Sequence, residues 1–206
     1  EYAFAEGINM DEKISDLKAA KSAMRAAIRE QLKICDTKAL AAEDNIICSH
    51  VLKSSYWKQA QKIFCYVPCG RELDVMPLIK RAIFQGRELY VPLITGAGAM
   101  EARRLESLEL LRPGSFGIGE PPPDSESISV KLLDLVIMPG LAFDLRSFAR
   151  LGKGGGYYDR FLMESTALRL APVRLCQLKS NIPCEKHDIK ADLLVTAGGF
   201  LPHPAA

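Results

Sequence analysis

A chain of 206 residues, 48% hydrophobic and 25% charged, is long enough to bury one sizeable core and has the composition of an ordinary folded domain. Its formal net charge of +2 neither demands nor forbids an anionic ligand, and argues against bulk nucleic-acid binding as the main task. No apolar run approaches the ~20 residues needed to cross a bilayer, and the first residues lack the basic-then-apolar order of a signal peptide, so a cytoplasmic protein with no membrane or nucleic-acid partner is expected.

Residues 1–9 have no clear periodicity, and residues 1–17 are set apart as an N-terminal extension; residues 18–206 then form a single domain. Lys18 to Cys35 reads as a helix rich in good helix formers, with Met24, Ile28 and Leu32 four apart on one face. Lys21 and Arg25 fall four apart on another face. Two long cations at that spacing point the same way and suit a polyphosphate, although a solvated basic face has the same spacing. A second helix is expected from Lys38 to Lys53, then a strand over Lys62 to Val67 ended by Pro68 and Gly70.

A helix near Val75 to Gln85, a strand at Glu88 to Leu93 and a buried strand at Leu133 to Met138 continue an alternation that predicts an α/β sheet. Between them, Gly114 to Ser129 contains Pro121-Pro122-Pro123 and is expected to be a loop on the surface or across a cleft. Late apolar runs, Val173 to Leu178 and Leu193 to Thr196, read as short strands. Six dispersed cysteines without a Cys-x-x-Cys pair read as reduced core residues, and three scattered histidines give no zinc signature.

The densest chemistry lies in Leu151-Gly152-Lys153-Gly154-Gly155-Gly156-Tyr157-Tyr158-Asp159-Arg160. Four glycines in five positions let backbone N–H groups approach an anion, Lys153 adds a point charge, and a helix starting near Tyr157 would aim its free N–H groups the same way. Asp159 could bring a magnesium ion to phosphates. It is neither a P-loop, because no hydroxyl residue follows the lysine, nor a dinucleotide fingerprint, because Tyr157 stands where the third glycine belongs. A plain surface turn shares the glycine content, but the adjoining Tyr-Tyr-Asp-Arg favours a ligand site. Pro68 to Glu72 and Pro139 to Asp144 each follow a predicted strand, where ligands collect in open α/β sheets.

Together these residues resemble the 5-formyltetrahydrofolate cyclo-ligase (5,10-methenyltetrahydrofolate synthetase) family. The resemblance is carried by Lys21-x-x-x-Arg25, Arg71-Glu72-Leu73-Asp74, Gly117-Ile118-Gly119-Glu120-Pro121, Met138 to Asp144, Arg150 to Asp159, and Ile182-Pro183 with His187-Asp188. It implies a single-domain Rossmann-like three-layer sandwich with a mostly parallel, mixed sheet and helices on both faces. It also implies an ATP- and magnesium-dependent enzyme, acting as a monomer, that closes the formyl group of 5-formyltetrahydrofolate into 5,10-methenyltetrahydrofolate.

Carried over residue by residue, the resemblance assigns ATP to Lys21, Arg25, Arg150, Leu151, Gly152, Lys153, Gly154, Gly155, Gly156, Tyr157 and Tyr158. It assigns the folate to Val67, Glu72 and Tyr157, catalysis to Lys153, Tyr157 and Arg150, and magnesium to Asp159 and Asp188. Two other functions are weighed beside it. A relative using ATP on another formyl or carboxyl compound would keep Arg150 to Asp159 and alter Val67 to Glu72. A folate- or nucleotide-binding protein without turnover would lose Lys21, Arg25 or Asp159.

Overall fold

The computed structural model describes residues 10–201. Helix α1 (Met10–Ile34) is followed by α2 (Thr37–Lys53), which Asp36 caps by accepting from the Ala39 amide, and by the short α3 (Ser55–Gln59). Thus α1 already occupies residues 10–17, assigned above to the extension; residues 1–9 lie outside the described residues. Strand β1 (Lys62–Cys65) leads through a turn to α4 (Met76–Phe84), whose first turn holds Pro77 where no helical N–H is lost, and then to β2 (Glu88–Gly96).

A hairpin then adds β3 (Ala99–Arg104), which the sequence did not announce. Its Glu101, Arg103 and Arg104 are the polar decoration of a strand near the sheet edge, so the hydrophobic alternation used to find strands is weak there. The Pro-rich stretch is mostly irregular, as expected. It nonetheless contributes two-residue pairings, with β4 (Arg112–Pro113) against β5 (Gly119–Glu120), and β6 (Ser127–Ile128) against β3. Next come β7 (Leu135–Ile137), β8 (Ala142–Asp144), β9 (Arg150–Leu151) and the one-turn helix α5 (Tyr157–Phe161).

The expectation of a strand over Val173 to Leu178 is corrected. The strand is β10 (Leu168–Pro172), and the chain then tightens into a 3-10 turn at Leu175–Gln177 before the two-residue β11 (Leu178–Lys179). Arg174 and Gln177 cause the difference: both are buried polar residues that leave the strand direction to find partners on other turns. The chain closes with β12 (Leu193–Thr196) and β13 (Gly199–Phe200).

The main sheet has the order β13-β12-β10-β7-β1-β2-β3-β6, parallel from β12 to β2 and antiparallel at its edges. Alternation along β1 explains both cores. Ile63 and Cys65 pack with Ile47 and Val51 of α2, Trp57 of α3, and Leu78 and Ile79 of α4. Phe64 faces the other way, toward Phe143, Phe148 and Leu162. A third cluster seats Ile28 and Leu32 of α1 on Leu141, Ala142 and Leu151, using the face that the four-residue spacing predicted.

The chain turns from β1 to β2 on one side and later returns to β7 on the other, so the order reverses between β1 and β7. The turns after these two strands therefore sit side by side at the switch point of the sheet, where open α/β folds bind ligands.

Asp144, at the end of β8, shapes the turn leading to β9. One carboxylate oxygen accepts from the Arg146 and Ser147 amides at 2.9 and 2.7 Å and from the Ser147 hydroxyl at 3.0 Å; the other accepts from the Ile182 amide at 3.2 Å. Burial opposes its charge, but these donors outweigh burial and hold its pKa below the usual range. Its contribution is therefore complete above the unfolded-state value of about 3.9 and is lost as pH falls through the lower folded value. Asp144→Asn should cost about 1–3 kcal/mol at neutral pH and flatten the acid limb of a stability-versus-pH curve. Urea unfolding at pH 7 and below pH 4 checks both; equal loss at every pH would remove the charge from the argument.

Candidate active site

Several turns, helix α1 and the β2–β3 hairpin line a cavity of about 620 Å³ at the switch point. The turn after β1 supplies Val67 and Glu72, the turn after β7 supplies Pro139 and Gly140, and the glycine loop between β9 and α5 supplies Arg150 to Asp159. Helix α1 crosses above with Lys18, Lys21 and Arg25, and the segment before β12 adds Glu185, His187 and Asp188. All fifteen residues assigned to a site from the sequence line this one cavity.

The glycine loop is held from three directions. Arg25 donates through Nε to the Gly152 carbonyl at 2.9 Å, fixing the loop to α1. Arg160 donates to the Gly98 carbonyl at 2.7 Å and also to the Gly155 carbonyl, tying the loop to the β2–β3 hairpin. Arg150 lies beneath it, 9% exposed, with its guanidinium 2.8 Å from Asp159 and 5.6 Å from the centre of the Tyr158 ring. A Cβ on Gly152 would stand 2.7 Å from that guanidinium, so this glycine makes room for Arg150, and Gly154 has a φ of +109° that side chains rarely adopt. The anticipated helix begins at Tyr157, but it is a single turn.

Several charged groups of the cavity are paired with one another. Lys21 is buried, 2.8 Å from Glu185 and 2.6 Å from Asp188. Burial pulls its pKa down, the two carboxylates more than compensate, and the net direction is upward. Asp188 shifts oppositely: burial would raise it, but the Glu185 amide and Lys21 hold it below the usual carboxylate range. Lys153 reaches across the opening to Glu72 at 2.6 Å and to the Cys69 thiol at 3.1 Å. Its pKa is likewise raised, Glu72 overcoming the penalty of burial. The lining also includes the apolar side chains of Val67, Pro92, Ile94, Met100, Phe116 and Ile118.

Glu185, His187 and Asp188 offer ligand atoms within 4.8 Å of one another. This group does not include Asp159, whose Oδ1 accepts from Arg150 at 2.8 Å and from the Ile189 amide at 3.1 Å. Carboxylate oxygens are the donors a hard divalent ion takes, and their crowding around the Lys21 ammonium marks a place where positive charge is needed. Asp159 and Asp188 both line the cavity. Of the two tyrosines, Tyr157 is half-exposed beside Phe116, whereas Tyr158 packs on Phe64 with its hydroxyl buried and its pKa pushed well up by burial.

The sequence missed the residues that hold the walls in register. Arg174 makes a two-pronged pair with Asp44, 2.6 Å on each prong, with both side chains 4% exposed. The same guanidinium donates to the Arg71 and Glu72 carbonyls at 2.9 and 3.0 Å. Three residues on, Gln177 donates to the Gly140 and Leu141 carbonyls at 3.0 and 3.2 Å. The turn after β10 therefore staples together the turns after β1 and β7. No local pattern signals this, because Arg174 and Asp44 are 130 residues apart.

The sequence profile of the 5-formyltetrahydrofolate cyclo-ligase family matches residues 17–197. The chain is 29% identical over 208 residues to the 5-formyltetrahydrofolate cyclo-ligase of Saccharomyces cerevisiae, covering 89% of this chain and 98% of that protein. It is 30% identical over 193 residues to a probable 5-formyltetrahydrofolate cyclo-ligase of Schizosaccharomyces pombe, covering 85% and 94%. The NMR structure of Aquifex aeolicus 5,10-methenyltetrahydrofolate synthetase superposes with a TM-score of 0.78 at 29% identity over 87% of this chain and 91% of the other. A Mycoplasma pneumoniae 5,10-methenyltetrahydrofolate synthetase, at 18% identity and a TM-score of 0.70, shares the fold.

Replacing Arg174 by Met should cost about 3–5 kcal/mol, because Asp44 is left buried without its partner. The double variant Asp44→Leu/Arg174→Met should recover much of that loss in chemical denaturation yet bind ligands poorly, since the carbonyls of Arg71 and Glu72 lose their anchor. Full ligand affinity in the double variant would mean that the staple does not position the Glu72 turn.

Proposed function

Since the chain belongs to the 5-formyltetrahydrofolate cyclo-ligase family, we propose that this cavity performs the ATP-dependent cyclisation of 5-formyltetrahydrofolate to 5,10-methenyltetrahydrofolate, releasing ADP and phosphate. The observation that carries the proposal is the joining in one cavity of two sets of residues, cations on and around a glycine loop, and apolar side chains together with the Glu72 carboxylate. The first suits a polyphosphate; the second suits a ring whose N–H donors pair with Glu72.

The chemistry asks for positioning rather than for a covalent enzyme intermediate. A formamide carbon is a poor electrophile. Its oxygen attacks the terminal phosphorus of ATP and ADP leaves; the neighbouring folate nitrogen then attacks the activated carbon and loses its proton; phosphate departs with the former formyl oxygen, leaving the methenyl bridge. Lys153 is the cation best placed to follow the moving phosphoryl group, because it sits on a loop and is 47% exposed. Arg150 is fixed by Asp159 and by the Tyr158 ring, and so acts as a static cation beneath the phosphates.

Lys21 and Arg25 add charge from α1, with Arg25 also holding the loop carbonyl of Gly152. Tyr157, beside Phe116, and Val67 are both among the cavity lining and would pack against the folate rings. Asp159 and Asp188 would hold a magnesium ion, whose contribution is to neutralise phosphate charge.

Purified protein with 5-formyltetrahydrofolate, magnesium and ATP should give a rise in near-ultraviolet absorbance that is absent without ATP. Lys153→Ala should lower kcat/KM at least about tenfold and shift unfolding by no more than about 1 kcal/mol. An ATP-independent rise, or an unaffected Lys153→Ala, contradicts the scheme. Asp159→Asn should raise the magnesium concentration needed for half-maximal rate; an unchanged magnesium profile removes Asp159 from the metal role. A binding protein without turnover would bind ATP in calorimetry and give no absorbance change.

A further inference from the structure

The contact between Lys153 and Glu72 joins the glycine loop to the turn after β1. Lys153 Nζ lies 2.6 Å from one Glu72 oxygen, and the other oxygen accepts from the Cys69 amide at 3.0 Å. The Glu72 side chain is only 13% exposed and its backbone carbonyl is fixed by Arg174, so the carboxylate is the stationary partner. Lys153, 47% exposed on a glycine loop, is the partner free to leave.

Under the assignment proposed above, each group has a second claimant: a phosphate for Lys153 and the N–H donors of a ring for Glu72. An ammonium at 2.6 Å from one carboxylate oxygen cannot hold a phosphate at full strength, and a carboxylate oxygen engaged by an ammonium is a poorer acceptor for a ring N–H.

We propose that Glu72, besides contacting the folate ring, is a positioning residue for the phosphate half: it latches Lys153, so that nucleotide and folate each release the group the other needs. The inference rests on the cyclo-ligase assignment and predicts its coupling. A phosphate that draws Lys153 away frees Glu72 for the ring; a ring that occupies Glu72 frees Lys153 for the phosphate. Because coupling between two ligands is reciprocal, the factor by which one improves the other must be the same in both directions. Neither substrate alone then finds the cavity in its tightest-binding arrangement, which favours productive occupation by both.

The test is the affinity of the non-hydrolysable nucleotide adenylyl imidodiphosphate, with magnesium and without folate, measured by calorimetry. Glu72→Gln should bind it about three- to tenfold more tightly than the wild-type chain, since the half-exposed pair contributes a modest energy. A general field effect of removing a negative charge would also tighten binding, and two further variants separate it. Glu72→Asp keeps the charge but shortens the reach to Lys153, and should tighten binding as well. In a Lys153→Met background, Glu72→Gln should change affinity by less than about twofold, the non-additivity of a direct pair.

Wild-type affinity in Glu72→Gln, or an equal gain in the Lys153→Met background, overturns the latch while leaving the cyclo-ligase assignment standing. Absence of nucleotide binding in the wild-type chain would overturn both. Thermal unfolding of each variant identifies any that fails to fold, and the aspartate variant carries the test if the glutamine variant does.

Discussion

The cavity depends on one buried ion pair, Arg174 with Asp44. The turn carrying Glu72 follows β1, the turn carrying Gly140 follows β7, and the sheet alone sets only where those turns begin. Their carbonyls are then taken by two side chains of the turn after β10: Arg174 for Arg71 and Glu72, Gln177 for Gly140 and Leu141. Arg174 can be buried there only because Asp44 meets it on two prongs; burial works against its charge, and the carboxylate outweighs burial so that its pKa stays above the ordinary value. Asp44 also accepts from the Asp74 amide, so α2, the Glu72 turn and the end of β10 move as one piece.

The glycine loop is anchored separately from that wall. Its anchors are arginines reaching carbonyls, from Arg25 on α1 and Arg160 toward the hairpin, with Arg150 packed underneath. The loop's cations thus have two duties. Arg150 is committed to Asp159 and to an aromatic face and sets a constant potential, while Lys153, half exposed, is able to change partners. In the proposed reaction the first would hold a polyphosphate in place and the second would reach the transferring group.

Much of this was legible in the sequence, for reasons that are local. Lys21 and Arg25 could be placed on one helix face because 3.6-residue periodicity is a property of the segment itself, and Met24, Ile28 and Leu32 identified the buried face by the same rule. The strands that became β1 and β7 are short apolar runs closed by prolines, and the glycine loop carries its chemistry within ten residues. What was not legible is what depends on distant partners. Arg174 and Gln177 sit in an apolar run that reads as a strand; they turn inward because Asp44 and Gly140 lie 130 and 37 residues away in the chain. Glu185 joined Asp188 as a candidate ligand only when the fold laid Lys21 against both. Phe116 and Ile118 were assigned to a loop, correctly, but only the fold reveals that this loop lines the cavity.

Phosphorylation of the formyl oxygen in this cavity is tested by the fate of that atom. With 5-formyltetrahydrofolate labelled with heavy oxygen in the formyl group, a single turnover with ATP and magnesium should deliver the label into the released inorganic phosphate, read by mass spectrometry. Label found in water, with unlabelled phosphate, would mean that ring closure and ATP cleavage proceed through separate hydrolytic steps, and the proposed roles of Lys153 and the glycine loop would have to be given up.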